Sequence, residues 1–227
     1  MRDFSQDHRW LSINTATVRK SRGADLPLTD ILDACARHGI GAVSPWRDQV
    51  AAVGLKTVSA QVKSLGLKLS GYCRGGMFPA VDTAGLQAAR DDNRRAVDEA
   101  CELNAPCLVL VVGALPGALA GKAAHKDIAR SRQQVQDGIA ELLEYARTCG
   151  MPLAIEPLHP MYAADRACIN TMEQALDVCD ALDPGQSGAL GVAVDVYHVW
   201  WDPKLQQQIA RAGRERLLAF HVCDWLT

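Results

Sequence analysis

The sequence predicts an α/β domain built on a parallel sheet, and three observations lead to this prediction. The chain has 227 residues, of which 48% are hydrophobic and 22% charged, which suits one globular domain with a substantial core. Seven short apolar runs alternate with longer amphipathic segments. The runs are too uniformly apolar for half-exposed strands, which favours parallel strands covered by helices.

The predicted elements follow one another along the whole chain. The strands are expected at residues 11–15, 40–44, 67–73, 107–112, 152–157, 190–196 and 217–223. The helices between them are expected at 28–39, 57–66, 82–104, 127–150, 170–183 and 202–213. Thr29 and either Asn170 or Thr171 are predicted N-caps, and Gly39 and Gly150 are predicted to end helices.

This alternation favours a TIM (β/α)8-type barrel over a doubly wound open sheet. The segment LSINTATVRK, which follows the first strand, lacks the glycine-rich phosphate fingerprint of dinucleotide-binding folds. Barrels of this type have eight strands and typically about 250 residues. We therefore expect residues 1–227 to form one barrel domain that covers strands 1–7, with the eighth βα unit missing or truncated, as in a fragment of a longer product.

Charge and composition argue against several classes of protein. A net charge of -2 and a pI near 6.3 disfavour a nucleic-acid partner. No run approaches the roughly 18–20 apolar residues of a membrane span, and the N-terminus is charged where a signal peptide is apolar. The eight cysteines form no CxxC pair. We expect reduced, mostly buried thiols in a cytoplasmic protein.

Three of the predicted strands end in the same way. In each, a small residue lies two positions before a polar one, and bulky apolar residues occupy the opposite face. The polar residues are Glu156, Asp195 and His221. In a barrel they converge at the C-terminal mouth, where catalysis takes place, and they suit one divalent metal ion (Mn²⁺, Mg²⁺, Co²⁺ or Zn²⁺). Taken singly, each also has a structural explanation as a loop carboxylate, a cap or a core histidine.

Other strand exits carry candidate substrate-binding residues. Asn14 ends the first strand, and Trp46 leaves the second, where it either stacks on a sugar or packs in the core. Arg74, in GYCRGGMFP, either holds a hydroxyl, carboxylate or phosphate or lies on the surface beside a glycine turn. His159 follows the fifth strand closely. The two tryptophans of VWWDP are expected to wall the pocket or an interface.

The runs AIEPLHP, VAVDVYHVWWDP and FHVCDW resemble the sugar phosphate isomerase/epimerase group of the xylose isomerase-like TIM barrels. The resemblance covers nearly the whole chain. It implies that Glu156, Asp195 and His221 are three of four metal ligands, the fourth being a Glu at the end of strand 8. It also implies that Glu156 is an acid–base residue and that His198 is a catalytic residue that contacts the substrate or lies beside the metal. The alternative for His198 is a histidine at the start of a helix or in a loop. Asp224 either orients a ligand or a sugar hydroxyl or is solvated.

The group contains ketose 3-epimerases and inosose dehydratases, so the resemblance implies a metal-dependent isomerase or epimerase. It would act on a keto sugar, polyol or sugar acid through an enediolate. A dehydratase on the same scaffold and a non-catalytic barrel are the alternatives. An endonuclease-like hydrolase, which shares the fold, is disfavoured by the negative charge and the six histidines. We expect a small-molecule carbohydrate as partner, with no nucleic acid and no membrane, and we leave a homo-oligomer open.

Overall fold

The computed structural model of the protein describes residues 3–21 and 23–223. The strands within this range are β1 Ser12–Asn14, β2 Lys20–Ser21, β3 Ala24–Asp25, β4 Ala42–Ser44, β5 Lys68–Leu69, β6 Tyr72–Gly75, β7 Leu108–Val111, β8 Leu153–Glu156, β9 Leu190–Asp195 and β10 Leu217–His221. The helices are α1 Leu28–Arg37, α2 Arg47–Val53, α3 Leu55–Ser64, α4 Thr83–Glu102, α5 Ile128–Thr148, α6 Met172–Leu182, α7 Val196–Val199 and α8 Leu205–Arg216.

The strands form three sheets. The order is β1-β4-β5 in one and β10-β9-β8-β7-β6 in another, and β2 pairs with β3 in an antiparallel hairpin. The pairs β1–β4, β4–β5, β8–β9 and β9–β10 are parallel. Parallel neighbours need a crossover between them, and the helices supply it.

The first of two compact units contains the chain up to Arg74 together with Asp98–Leu108. Its core includes the apolar face of α1, where the buried residues recur at helical spacing. They are Leu28, Ile31, Leu32 and Cys35. Helix α1 contacts α2, α3 and β4. The face that α1 buries is therefore what fixes it over the three-stranded sheet.

The second unit contains Gly75–Val97 and the chain from Val109 onward. Strand β8 is buried along its whole length, and β9 is buried up to its last residue. Helices α6 and α8 contact β9. Each Leu or Ile side chain that is fully buried here contributes about 1.5–3 kcal/mol relative to exposure. This apolar layer holds the ends of β8, β9 and β10 in fixed positions.

The strand and helix predictions agree closely with the structure. Each of the seven predicted strands is present, with residues 67–73 divided between β5 and β6, and each of the six predicted helices is present. Thr171 caps α6, since its side chain accepts a hydrogen bond from the backbone N–H of Gln174. The Thr29 cap was wrong: α1 begins at Leu28, after the extended Pro27, so Thr29 already lies inside the helix.

Short elements were not predicted, namely the β2–β3 hairpin, α2 and the single-turn α7, because they are too short to show a hydrophobic period. One face was also predicted wrongly. Phe220 and Val222 belong to the bulky apolar face of the last predicted strand, which a barrel buries under helices, but their exposed fractions are 69% and 72%. Among the described residues, no helix covers this face of β10.

Most thiols are buried, as predicted: five of the eight free cysteines are buried, and Cys149 and Cys223 are exposed. No helix in the described range combines the length and the apolar character that a membrane crossing requires.

Candidate metal centre

Three side chains converge at the carboxyl ends of neighbouring parallel strands. Glu156, Asp195 and His221 are the last residues of β8, β9 and β10. The Nδ1 atom of His221 lies 2.9 Å from Oε1 of Glu156 and 3.9 Å from Oδ2 of Asp195. One ligand atom of each residue lies within 4.8 Å of the others. The predicted convergence is thus present in the structure.

The donor set fits a divalent cation. Proteins bind such ions through carboxylate oxygens and imidazole nitrogens at about 2.0–2.2 Å, so small side-chain movements would close these three groups around one ion. Burial and the charge of Glu156 raise the pKa of Asp195. Two carboxylates held close together in a partly buried site repel each other, and a bound cation relieves that repulsion.

The two histidines nearest the carboxylates have opposite electrostatic environments. Burial disfavours the charged ring of His221, but the hydrogen bond and charge of Glu156, with Asp195, outweigh it and raise the pKa of His221. Burial lowers the pKa of His198, and the charge of Asp195 only partly opposes this shift. The charged form of His221 is therefore stabilised relative to that of an exposed histidine, whereas the charged form of His198 is destabilised.

His198 is held in one tautomer. The backbone N–H of His159 donates to Nδ1 of His198 at 3.2 Å, so the neutral ring carries its proton on Nε2. The rings of Tyr197 and Tyr162 lie edge-on to it, at centroid distances of 4.9 and 5.8 Å. His198 is therefore suited to donate a hydrogen bond from Nε2 rather than to accept a proton at Nδ1.

Asp195 has a second structural task. Its Oδ1 atom accepts a hydrogen bond from the backbone N–H of Tyr197 at 2.8 Å and caps the single turn of α7. Its other oxygen, Oδ2, faces His221. The cap explains why an aspartate at the end of β9 is followed at once by a helical turn that carries His198.

Three predicted substrate-binding residues lie together in the first unit. The indole Nε1 of Trp46 donates to Oδ1 of Asn14 at 2.7 Å. The guanidinium groups of Arg74 and Arg19 lie 5.6 and 5.5 Å from the centre of the Trp46 ring. This is the spacing of cation–π contacts, which hold planar groups in fixed orientations. Trp46 is half-buried, so it is neither a core residue nor a fully exposed one.

The remaining predicted residues divide between the second unit and the undescribed part of the chain. His159 lies next to His198, as described above, whereas Asp224 lies outside the described residues. Sequence reasoning missed Tyr162, Tyr197 and Arg19, which no residue spacing singled out. A cavity of about 540 Å³ in the first unit, between the ends of α3 and α4, contains none of the predicted site residues.

Comparison with known proteins agrees with this architecture. The family model of the xylose isomerase-like TIM barrel matches residues 32–227. A crystal structure of a Sinorhizobium meliloti 1021 protein is 58% identical, with a TM-score of 0.86, and the match covers 95% of this chain and 74% of that one. A search of the curated proteins finds no match.

More distant structures share the fold. The IolI protein, crystallised with a zinc atom, is 18% identical, with a TM-score of 0.73 over 94% of this chain and 72% of that one. D-psicose 3-epimerase, crystallised in the presence of D-fructose, is 16% identical, with a TM-score of 0.72 and the same coverage. Because the family model spans most of the sequence and the parallel strands place the expected side chains at their ends, the chain belongs to the xylose isomerase-like TIM barrel family.

Proposed function

We propose that the protein is a divalent-metal-dependent isomerase or epimerase that acts on a keto sugar, polyol or sugar acid through an enediolate. The observation that carries the proposal is the convergence of Glu156, Asp195 and His221 at the ends of three neighbouring strands. Two relatives of the same fold, described as an IolI protein with zinc and a D-psicose 3-epimerase, support it at the level of the fold.

The ion would be held by the two carboxylates and the imidazole of the triad, and Mn²⁺, Mg²⁺, Co²⁺ and Zn²⁺ all accept such ligands. When bound, it would supply Lewis-acid polarisation of a substrate carbonyl and an adjacent hydroxyl. All other steps fall to the protein's side chains.

Glu156 would move the proton. Its side chain is about 10% exposed and is held through Oε1 by His221, so it is fixed in orientation and shielded from bulk water. Removal of the proton from the carbon next to the carbonyl gives the enediolate. Return of that proton to the neighbouring carbon gives the isomer, whereas delivery of a proton by a second acid on the opposite face gives the epimer. His198, with its proton on Nε2, would donate a hydrogen bond to a substrate oxygen. Trp46, Arg74 and Asn14 remain proposed substrate-binding residues.

A dehydratase is the second candidate, because expulsion of hydroxide from the same enediolate needs the same base and the same ion. Product mass separates the two: isomers and epimers keep the substrate's mass, whereas a dehydratase product lacks one water. A non-catalytic barrel is the expected finding if neither turnover nor proton exchange occurs.

Elemental mass spectrometry of the purified chain tests the metal site. We expect about one divalent ion per chain after reconstitution, and its loss in Asp195→Ala. The matched control is Asp177→Ala, which removes a surface carboxylate that pairs with Arg211. Equal metal content in both variants would contradict the assignment of the triad.

Proton exchange tests the chemistry. In D₂O, ketoses and inososes are offered to the metal-loaded chain, and deuterium incorporation next to the carbonyl is followed by NMR. We expect incorporation with the unmodified chain and a loss of about 10²-fold or more in Glu156→Gln, in line with the usual contribution of a general base. Turnover without incorporation of solvent deuterium would rule out the enediolate route.

A further inference from the structure

Next to the triad lies a cluster of four aromatic side chains and one methionine that the proposed proton transfer does not use. We define it as the rim platform, made of Trp200, Trp201, His159, Tyr162 and Met161. The His159 ring stacks on Trp200 at a centroid distance of 6.2 Å and an interplanar angle of 25°, and it meets the edge of Trp201 at 5.8 Å. Trp200 and Met161 are 62% and 59% exposed. The platform therefore presents a broad apolar surface to solvent.

The platform is tied to the metal centre through α7. Asp195 caps this helix, His198 lies within its single turn, and Trp200 follows it. Along the chain, the triad and the platform are thus separated by a single helical turn, which rises about 5 Å. The indole Nε1 of Trp201 donates to the carbonyl of His198 at 2.8 Å, and the backbone N–H of His159 donates to Nδ1 of His198. These hydrogen bonds hold the rings in place.

The chemistry of this surface matches a sugar ring. Exposed apolar patches that border a polar cleft mark binding sites, and small-molecule sites combine aromatic walls with a few polar groups. The C–H face of a pyranose packs against an indole, while its hydroxyls remain free to bond with groups such as the Tyr162 hydroxyl. A single keto sugar at the triad would leave the platform uncovered.

We propose that the rim platform is a second sugar subsite, so that the substrate is a glycoside whose keto sugar lies at the triad and whose second ring stacks on Trp200. The reactive position of the first ring rests on the proposed function above. Binding of the second ring depends on aromatic contact and does not require the metal ion, so the two proposals can fail separately.

Ligand-observed NMR titrations test the subsite. Glucose, cellobiose and maltose are titrated in the presence of EDTA into the unmodified chain, Trp200→Ala and Trp10→Ala. Trp10 is the matched control, since it is 59% exposed and lies in the first unit, outside the rim platform. We expect at least one disaccharide to bind about tenfold more tightly than glucose, because its second ring buries additional apolar surface on the indole. This preference should vanish in Trp200→Ala and persist in Trp10→Ala and in Trp200→Phe.

Three outcomes would overturn the proposal. The first is no binding, or equal binding of glucose and both disaccharides. The second is a disaccharide preference that survives Trp200→Ala. The third is a sedimentation measurement in which Trp200→Ala converts a dimer to a monomer, because a second copy of the chain would then cover the platform. A disaccharide preference without metal binding would instead remove the isomerase proposal and leave the subsite standing.

Discussion

Two histidines close to Asp195 have pKa values that the fold shifts in opposite directions. Glu156 and Asp195 favour the charged form of His221, whereas burial favours the neutral form of His198. The sequence marked His221 as functional from its position at a strand end, and the family resemblance marked His198. It could not separate their protonation, since that depends on which atoms the fold brings near each ring.

We expect the two rings to titrate on opposite sides of the ordinary histidine pKa in the metal-free protein. In NMR titrations with chelator, the His221 pKa should lie above 6.5 and the His198 pKa below it. Assignment comes from the loss of one signal in each of His221→Gln and His198→Gln. Identical midpoints for the two rings would contradict the described environments.

The same pKa shifts determine in which direction the stability of the metal-free protein changes with pH. The contribution of His221 is fully present below pH 6.5 and is lost as the pH rises through its raised pKa in the folded state. For His198 the unfolded chain binds the proton more readily, so its contribution is present above pH 6.5 and is lost as the pH falls towards its lowered pKa. Denaturation curves of His198→Gln should accordingly decline less on acidification than those of the unmodified chain.

At the scale of single elements, α5 contains a glycine whose role is visible only in three dimensions. Gly138 lies on the buried face of this helix, and a methyl group built on it would overlap the ring of Phe78. Glycine normally weakens a helix by about 1 kcal/mol relative to alanine. The sequence pattern alone would therefore recommend alanine here, and the packing forbids it.

Gly138→Ala should lower the free energy of unfolding by about 1–3 kcal/mol, because overpacking outweighs the gain in helix propensity. Chemical denaturation measures it. The same substitution in a Phe78→Leu background should cost less, since the smaller side chain leaves the space that the methyl group needs. An equal cost in both backgrounds would show that the ring is not the cause.

Helix α8 carries two arginines that differ in burial, Arg216, which is buried, and Arg211, which is partly exposed. Arg216 is 1% exposed and donates to the carbonyls of Asp183 and Leu190 at 2.7 and 3.2 Å. Arg211 is partly exposed and pairs with Asp177 and Asp180 at the surface. Both look alike in the sequence, because charged residues are common in an amphipathic helix.

Arg216→Ala should cost about 3–5 kcal/mol of unfolding free energy, because it leaves a cavity and strips the buried carbonyls and Asp183 of donors. Arg211→Ala, in the same helix, should cost about 1 kcal/mol or less, as exposed ion pairs usually do. Urea denaturation compares them directly. Similar costs would mean that the burial of Arg216 contributes little.

For the whole molecule, the alternation of apolar runs was sufficient to predict the parallel α/β architecture and the order of its strands. In-phase polar residues at the ends of β8, β9 and β10 were sufficient to predict the triad, because strand geometry fixes where such side chains point. The sequence could not predict the contacts that join Trp46, Asn14 and Arg19, nor the exposure of one face of β10. They depend on loop paths and on tertiary contacts that no residue periodicity records.

Metal binding should stabilise the whole chain. At a concentration of about 100 times the dissociation constant, an ion that binds only the folded state adds about 2.7 kcal/mol, or about 5–10 °C in Tm for a chain of this size. Thermal unfolding with MnCl₂ and with EDTA should show this difference in the unmodified chain and in Asp177→Ala. Asp195→Ala should show no such shift, and a full shift in that variant would place the ion elsewhere.

The side chain of Asp195 has two roles, as the N-cap of α7 and as a member of the triad. One oxygen fixes the start of the turn that carries His198 and leads to Trp200, while the other faces His221. Ion binding and the position of the rim platform therefore both depend on this one side chain. Removing the side chain would disturb both, whereas an asparagine, which can still cap a helix but carries no charge, would separate them.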